Sequence, residues 1–255
     1  MKRLKVAVYK FSSCDGCQLQ FLNMEEELLQ LVDIVDFALF YEARKAVEPG
    51  PYDIAFVEGA ISTPHEAEVI KKIREESNLV VAIGACATAG GIQALRNWAN
   101  VDEYKQYVYP RPEYLEVLKN AEPISKYVKV DYELRGCPVS KEQLLLFILQ
   151  IIRGKRPTLP VSPLCIECKI KGNVCVLVTR GIPCLGPVVM SGCGALCPSY
   201  GRGCYGCYGP AVDARAQTLN NYFKELGIRP KDIQLMFKQF TGWAREFKEV
   251  VEEYE

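Results

Sequence analysis

Residues 191–210, SGCGALCPSYGRGCYGCYGP, put four cysteines and six glycines into twenty positions. No helical or strand period organises such a run. From 164 to 211 the chain offers only one short apolar stretch, VCVLVT, set among glycines, prolines and cysteines. A segment of this kind buries too little apolar surface to offset its ordering entropy. Bound metal is the expected substitute for a hydrophobic core, as in small metal-stabilised domains.

The rest of the sequence narrows the setting. At 255 residues the chain can hold one large domain or two modest ones. Lys plus Arg equals Asp plus Glu at 31 each, so no excess positive charge exists to neutralise a phosphate backbone or an anionic lipid surface. Neither nucleic acid nor a membrane is an expected partner. The longest apolar run, LLLFILQII at 144–152, is far short of the roughly 20 residues that span a bilayer. The start, MKRLKVAVYKF, passes from basic residues straight into a strand pattern without a signal-peptide core or twin-arginine leader. A cytoplasmic chain is expected. In that compartment twelve cysteines point to metal ligation rather than disulfides.

Two halves follow different rules. Residues 1–157 alternate strand-like and helix-like segments, as an α/β domain with a parallel sheet does. The strand candidates are LKVAVYKF (4–11), DIVDFALF, YDIAFVEG, NLVVAIG and YVKVDYELRG. The helix candidates are QLQFLNMEEELLQLV (18–32), PHEAEVIKKIREE, ATAGGIQALRNW and VSKEQLLLFILQIIR, the last opened by Ser140 with Gln143 in capping-box spacing. The Pro-rich linker GKRPTLPVSP (154–163) leads into a second domain, 158–255, with little regular structure before two helical stretches at 212–226 and 230–255. In the last of these Ile233, Phe237, Phe240, Ala244, Phe247 and Val251 form a core-facing stripe. GACATAGG (84–91) fits neither phosphate-binding fingerprint, so no nucleotide site is expected.

The cysteines divide into three sets of four, the ligand count of a cubane iron–sulfur cluster. Cys14, Cys17, Cys86 and Cys137 all fall just beyond the carboxyl ends of strand candidates, where an open parallel sheet binds its ligands. The other eight, in chain order, give Cys165, Cys168, Cys175 and Cys184, then Cys193, Cys197, Cys204 and Cys207. The CGALCP segment repeats the ending of bacterial ferredoxin runs, in which ligands cross between clusters, so a swap among Cys184, Cys193 and Cys197 stays open. Glycines here let backbone N–H groups reach the sulfurs. Zinc is the competing reading, and it leaves four cysteines of the second domain idle. His65 is the single histidine, which removes mixed Cys/His zinc sites. A thiol-redox CxxC at Cys14 and Cys17 would leave Cys86 and Cys137 unexplained.

These residues resemble a known family, the small subunits of [NiFe] hydrogenases. The likeness runs through SSCDGC, VEGAIS, GACATAGG, LRGCPVS, PCLGPVVMSGC and GCYGCYGP. It implies a flavodoxin-like N-terminal domain followed by a cluster-binding C-terminal domain. It also implies a proximal cluster on Cys14, Cys17, Cys86 and Cys137, a medial one on Cys193, Cys197, Cys204 and Cys207, and a distal one on Cys165, Cys168, Cys175 and Cys184. Membrane-associated relatives carry a His where Cys165 stands and a Pro near Cys197. All-thiolate ligation here implies three [4Fe–4S] clusters. The resemblance is to the cytoplasmic, multi-subunit branch, the NAD(P)-linked and sulfhydrogenase delta subunits, with a deazaflavin (F420)-reducing hydrogenase subunit as the alternative. The implied role is a hetero-oligomer's electron relay between the nickel–iron site of a large subunit and flavin or iron–sulfur NAD(P)- or sulfur-reducing subunits. No catalytic residue is expected in this chain, since its cysteines are all taken by clusters. Glu58 is expected at the crevice of the first cluster, Arg135 beside Cys137 as a charge compensator or a surface residue, and Tyr200, Tyr205 and Tyr208 as a wall against water.

Overall fold

The computed structural model describes residues 3–255. Five parallel strands form one sheet: β1 (Leu4–Lys10), β2 (Val35–Phe40), β3 (Tyr52–Glu58), β4 (Ser77–Ile83) and β5 (Tyr132–Leu134), in the order β2-β1-β3-β4-β5. That order is the flavodoxin-like one, with its switch point between β1 and β3. Strand residues such as Val6, Ile54, Phe56 and Val81 are fully buried, because helices cover both faces. On one side Phe21 and Phe147 pack edge-on against Phe56. On the other, Ile70 and Ile73 join Val57 and Val80.

The helices are α1 (Gly16–Leu22), α2 (Glu26–Leu31), α3 (Pro64–Glu75), α4 (Gly84–Ala89), α5 (Val101–Val108) and α6 (Lys141–Ile152). The single helix expected over 18–32 is two, divided where Glu25 takes a left-handed φ of 48°. The helix expected over 87–98 begins earlier, at Gly84. It turns into a 3-10 segment, Gly91–Trp98, at the positive-φ pair Gly90 and Gly91. A complete capping box sits at Thr63 and Glu66 of α3. At α6, Ser140 does accept from the Gln143 N–H, but the Gln143 side chain turns away to donate to Gly192 O at 3.0 Å. It ties α6 to the loop that carries Cys193.

Beyond residue 163 lie α7 (Leu164–Ile170), α8 (Val176–Arg180), α9 (Leu196–Ser199), α10 (Ala216–Glu225), α11 (Pro230–Lys238) and α12 (Arg245–Glu252). The expectation of a region without an apolar core is corrected here. Leu164, Leu177, Leu185, Val188, Val189 and Met190 bury against Phe223, Ile233, Phe237, Phe247 and Val251 in one cluster. Each loop contributes only a residue or two, which no local window detects, and the helical stripe of the last 40 residues gathers them. Within that stripe Phe240 and Ala244 are only half-buried, because the helix breaks between Lys238 and Arg245.

Both tryptophans meet where the sheet region touches these helices. Trp98 and Trp243 pack edge-to-face at 5.2 Å. The Trp243 indole donates to Glu122, which also pairs with Lys126.

Candidate metal centres

The first set of thiols is built by the carboxyl edge of the sheet. β1 feeds the loop and α1 that hold Cys14 and Cys17, β4 passes directly into α4 and Cys86, and β5 passes through Gly136 to Cys137. Ala85 N–H bonds Gly136 O at 2.7 Å, closing the β4 and β5 exits on each other. Glu58, at the end of β3, is 1 % exposed. Its carboxylate accepts from Cys17 N–H at 3.2 Å and Gln18 N–H at 3.0 Å. It thereby caps α1, whose own N-cap Asp15 makes no side-chain cap bond. Burial raises the Glu58 pKa, against those two N–H groups.

Burial, then the Glu58 charge, pushes the Cys17 thiol far above its ordinary pKa, with Cys86 and Cys137 adding to it. Burial and the neighbouring Cys137 push Cys86 up to about 11. Cys137 is raised by burial and by Cys14. The four predicted ligands thus stand within electrostatic reach of one another. As a free thiol the buried Cys17 stays protonated at neutral pH, which is the opposite of an activated redox CxxC.

The second and third sets come together in the same way. Cys165 is pushed up to about 11 by burial and by Cys184, Cys168 and Cys175. These four line one cavity with Leu164 and Pro198. Burial raises Cys204, with Cys207 and Cys193 among its charged neighbours. Burial lifts Cys207 to about 12, with Cys193 and Cys197 contributing. The sets also approach one another. Cys204 N–H donates to Cys184 Sγ at 3.2 Å, and Cys137 lines one cleft with Cys193, Cys197 and Cys207. Gly203 permits the first contact, since a Cβ there would stand 1.9 Å from Pro183 O. Glycine-spaced N–H donors do reach sulfur, as Gly206 N–H does to Cys204 at 3.4 Å.

The donor sets fit polynuclear clusters better than single ions. Four thiolates on tetrahedral zinc lie about 3.8 Å apart, from Zn–S bonds of about 2.3 Å. Among the described residues no three His, Cys, Asp or Glu side chains are gathered as around one metal ion. The complete set Cys165, Cys168, Cys175 and Cys184 lines a small cavity of about 40 Å³, and a wider cleft of about 710 Å³ is lined by Cys137 of the first set with Cys193, Cys197 and Cys207 of the third. His65 is exposed.

Other expectations are revised. Arg135 gives Nε and Nη2 to Glu133 and Nη1 to Pro210 O, so it ties β5 to the C-terminal region and its charge is already paired. Of the three tyrosines only Tyr208 is buried. Cβ atoms on Gly136 and Gly192 would stand 2.9 Å and 2.8 Å from its ring, so it fills the gap between the first and third sets. Tyr200 is exposed and walls nothing. Two features had no sequence signal: the Gln143 bond to Gly192, and Glu167 between Cys165 and Cys168, whose Oε2 is buried without a hydrogen-bond partner.

A family model described as NADH ubiquinone oxidoreductase, 20 Kd subunit, matches residues 14–151. The chain is 35 % identical over 240 residues to sulfhydrogenase 2 subunit delta of Pyrococcus furiosus, covering 94 % of this chain and 100 % of that one. It is 32 % identical to a vhu subunit of the F420-non-reducing hydrogenase of Methanocaldococcus jannaschii, over 81 % of this chain and 82 % of the relative. A chain of an NAD+-reducing [NiFe]-hydrogenase superposes with a TM-score of 0.58 at 28 % identity, covering 62 % of this chain and 96 % of that one. The chain therefore belongs to the 20 kDa oxidoreductase-subunit family, as a [NiFe]-hydrogenase small subunit. It is one part of an oxidoreductase complex. Among the described residues no helix is long and apolar enough to cross a membrane.

Replacing Glu58 by alanine is expected to leave the Cys17 and Gln18 N–H groups buried without partners, at about 1–3 kcal/mol each. Glu58→Gln retains one acceptor and is expected to lose less. Thermal unfolding of the three proteins side by side ranks them.

Proposed function

We propose that this chain is the electron relay of a cytoplasmic hydrogenase, joining the nickel–iron site of a large subunit to an NAD(P)- or sulfur-reducing subunit. Residues 1–157 would form the flavodoxin-like domain that holds the proximal cluster on Cys14, Cys17, Cys86 and Cys137. Residues 158–255 would hold the medial cluster on Cys193, Cys197, Cys204 and Cys207 and the distal one on Cys165, Cys168, Cys175 and Cys184. All three are proposed to be [4Fe–4S] clusters, which when bound supply reversible one-electron transfer.

The observation that carries this reading is the approach of the three thiol sets to one another. Cys137 shares a cleft with Cys193, Cys197 and Cys207 at one end and Cys204 N–H bonds Cys184 Sγ at the other, which supports a third set lying between the first and second. The chain's own residues hold the sulfurs, cover them with apolar side chains and point N–H groups at them. The sulfhydrogenase and NAD+-reducing relatives favour a pyridine nucleotide or sulfur acceptor. A deazaflavin-reducing complex is the second reading; the chain is 32 % identical to a subunit named F420-non-reducing and, over a shorter span, 28 % identical to a coenzyme F420 hydrogenase gamma subunit of Methanococcus voltae.

Iron, acid-labile sulfide and zinc are to be counted on anaerobically purified protein, with a low-temperature EPR spectrum after dithionite. About twelve irons and twelve sulfides are expected. One or two zincs without iron would overturn the relay. Cys14→Ser is expected to block hydrogen-dependent reduction of the natural acceptor while hydrogen–deuterium exchange at the large subunit partly survives.

A further inference from the structure

One buried polar atom of the cysteine-rich region has no partner to explain it. Glu167 stands on α7 between Cys165 and Cys168, but it lines the cleft that holds Cys193, Cys197 and Cys207. The residue is half-buried, and its Oε2 is buried with no hydrogen-bond partner. Leaving a carboxylate oxygen desolvated and unpaired costs stability. An atom of this kind calls for a functional reason.

The usual partners are near and unused. Lys171 follows Glu167 by four residues, the spacing at which Glu and Lys pair along a helix. None of the twelve ion pairs among the described residues includes Glu167, however. Lys171 Nζ lies instead 3.3 Å from where a Cβ on Gly194 would stand. No lysine, arginine or histidine among the described residues lines the cleft. Ser140 gives its hydroxyl to the second acid there, Glu142, at 2.7 Å, and Gln143 gives its amide to Gly192 O. Glu142 is exposed, so water screens its charge, whereas Oε2 of Glu167 has no such screen.

Net charge, hydrogen bonds to the sulfurs and solvent exposure set the potential of an iron–sulfur cluster. A carboxylate in a water-poor cleft without a counter-cation disfavours an electron added beside it. We propose that Glu167 holds down the reduction potential of the cluster on Cys193, Cys197, Cys204 and Cys207. The proposal rests on the relay reading and concerns its middle step. A middle site that took electrons too readily would trap them. One held down passes them to either neighbour, which suits traffic in both directions.

The test is a potentiometric EPR titration of the purified holo complex, unmodified and carrying E167Q, E167D or E142Q. The middle cluster is recognised as the one whose reduction broadens the signals of two others. In E167Q its reduction equilibrium is expected to move at least tenfold toward the reduced form, about 59 mV upward for one electron, with iron content unchanged. E167D keeps the charge and should move it far less. E142Q, at an exposed position, should hardly move it, and the E167Q shift should persist in high salt, where surface charges are screened. An unmoved potential in E167Q would overturn the proposal, as would an equal shift in E142Q. Loss of iron from both E167Q and E167D would make Glu167 a structural residue and overturn it too. If no cluster of the unmodified complex couples to two others, the relay reading fails instead.

Discussion

Gly84→Ala is expected to yield a protein with about eight irons in place of about twelve. Gly84 has a φ of +84°, and a Cβ on it would stand 2.2 Å from Cys17 Sγ and 3.5 Å from Gly136 O. Carbon and sulfur that are not bonded to each other cannot rest at the first of these distances, so Cys17 must leave its place. Gly84 also begins the helix that carries Cys86. One substitution therefore disturbs two ligands of the same set and none of the other eight. Iron and sulfide analysis with EPR checks it, and an undiminished iron count would mean that Cys14, Cys17, Cys86 and Cys137 do not hold a cluster.

Phe247→Ala is expected to cost about 3–5 kcal/mol, the usual range for emptying a filled aromatic site in a core. Phe247 is fully buried and packs edge-on against Phe237 at 5.5 Å. Its ring also lies 3.8 Å from where a Cβ on Gly206 would be, between Cys204 and Cys207. The cavity thus opens beneath the third set, and iron bleaching by a chelator should quicken along with the fall in melting temperature. A neighbouring surface change, Glu249→Ala, should alter neither, since its ion pair with Arg245 is exposed.

The sheet was readable because its signal is local. Alternating apolar segments such as NLVVAIG lie close to the strand Ser77–Ile83, and strand–helix alternation dictates parallel pairing. Placement of Cys14, Cys17, Cys86 and Cys137 at one edge followed from that alone. β5 is the exception: a ten-residue candidate became three paired residues, Tyr132–Leu134; just before them Asp131 N–H still reaches Val80 O, but Val80 N–H turns to the Asp131 side chain, which also pairs with Arg74. The C-terminal core was hidden for the opposite reason. Leu185, Val188 and Phe247 are far apart in sequence and meet only after α10, α11 and α12 fold over the loops. Gln143 and Arg135 belong to the same class, since their partners, Gly192 and Pro210, are 49 and 75 residues away.

The bond from Cys204 N–H to Cys184 Sγ, together with the cleft that Cys137 shares with Cys193, Cys197 and Cys207, places each neighbouring pair of sites side by side. Ordering one site immobilises part of the next before the next has bound anything, and that entropy is not spent again. Filling of the proposed sites should then depend on their neighbours: emptying the end set on Cys14, Cys17, Cys86 and Cys137 spares the other two, whereas emptying the middle set on Cys193, Cys197, Cys204 and Cys207 should weaken both.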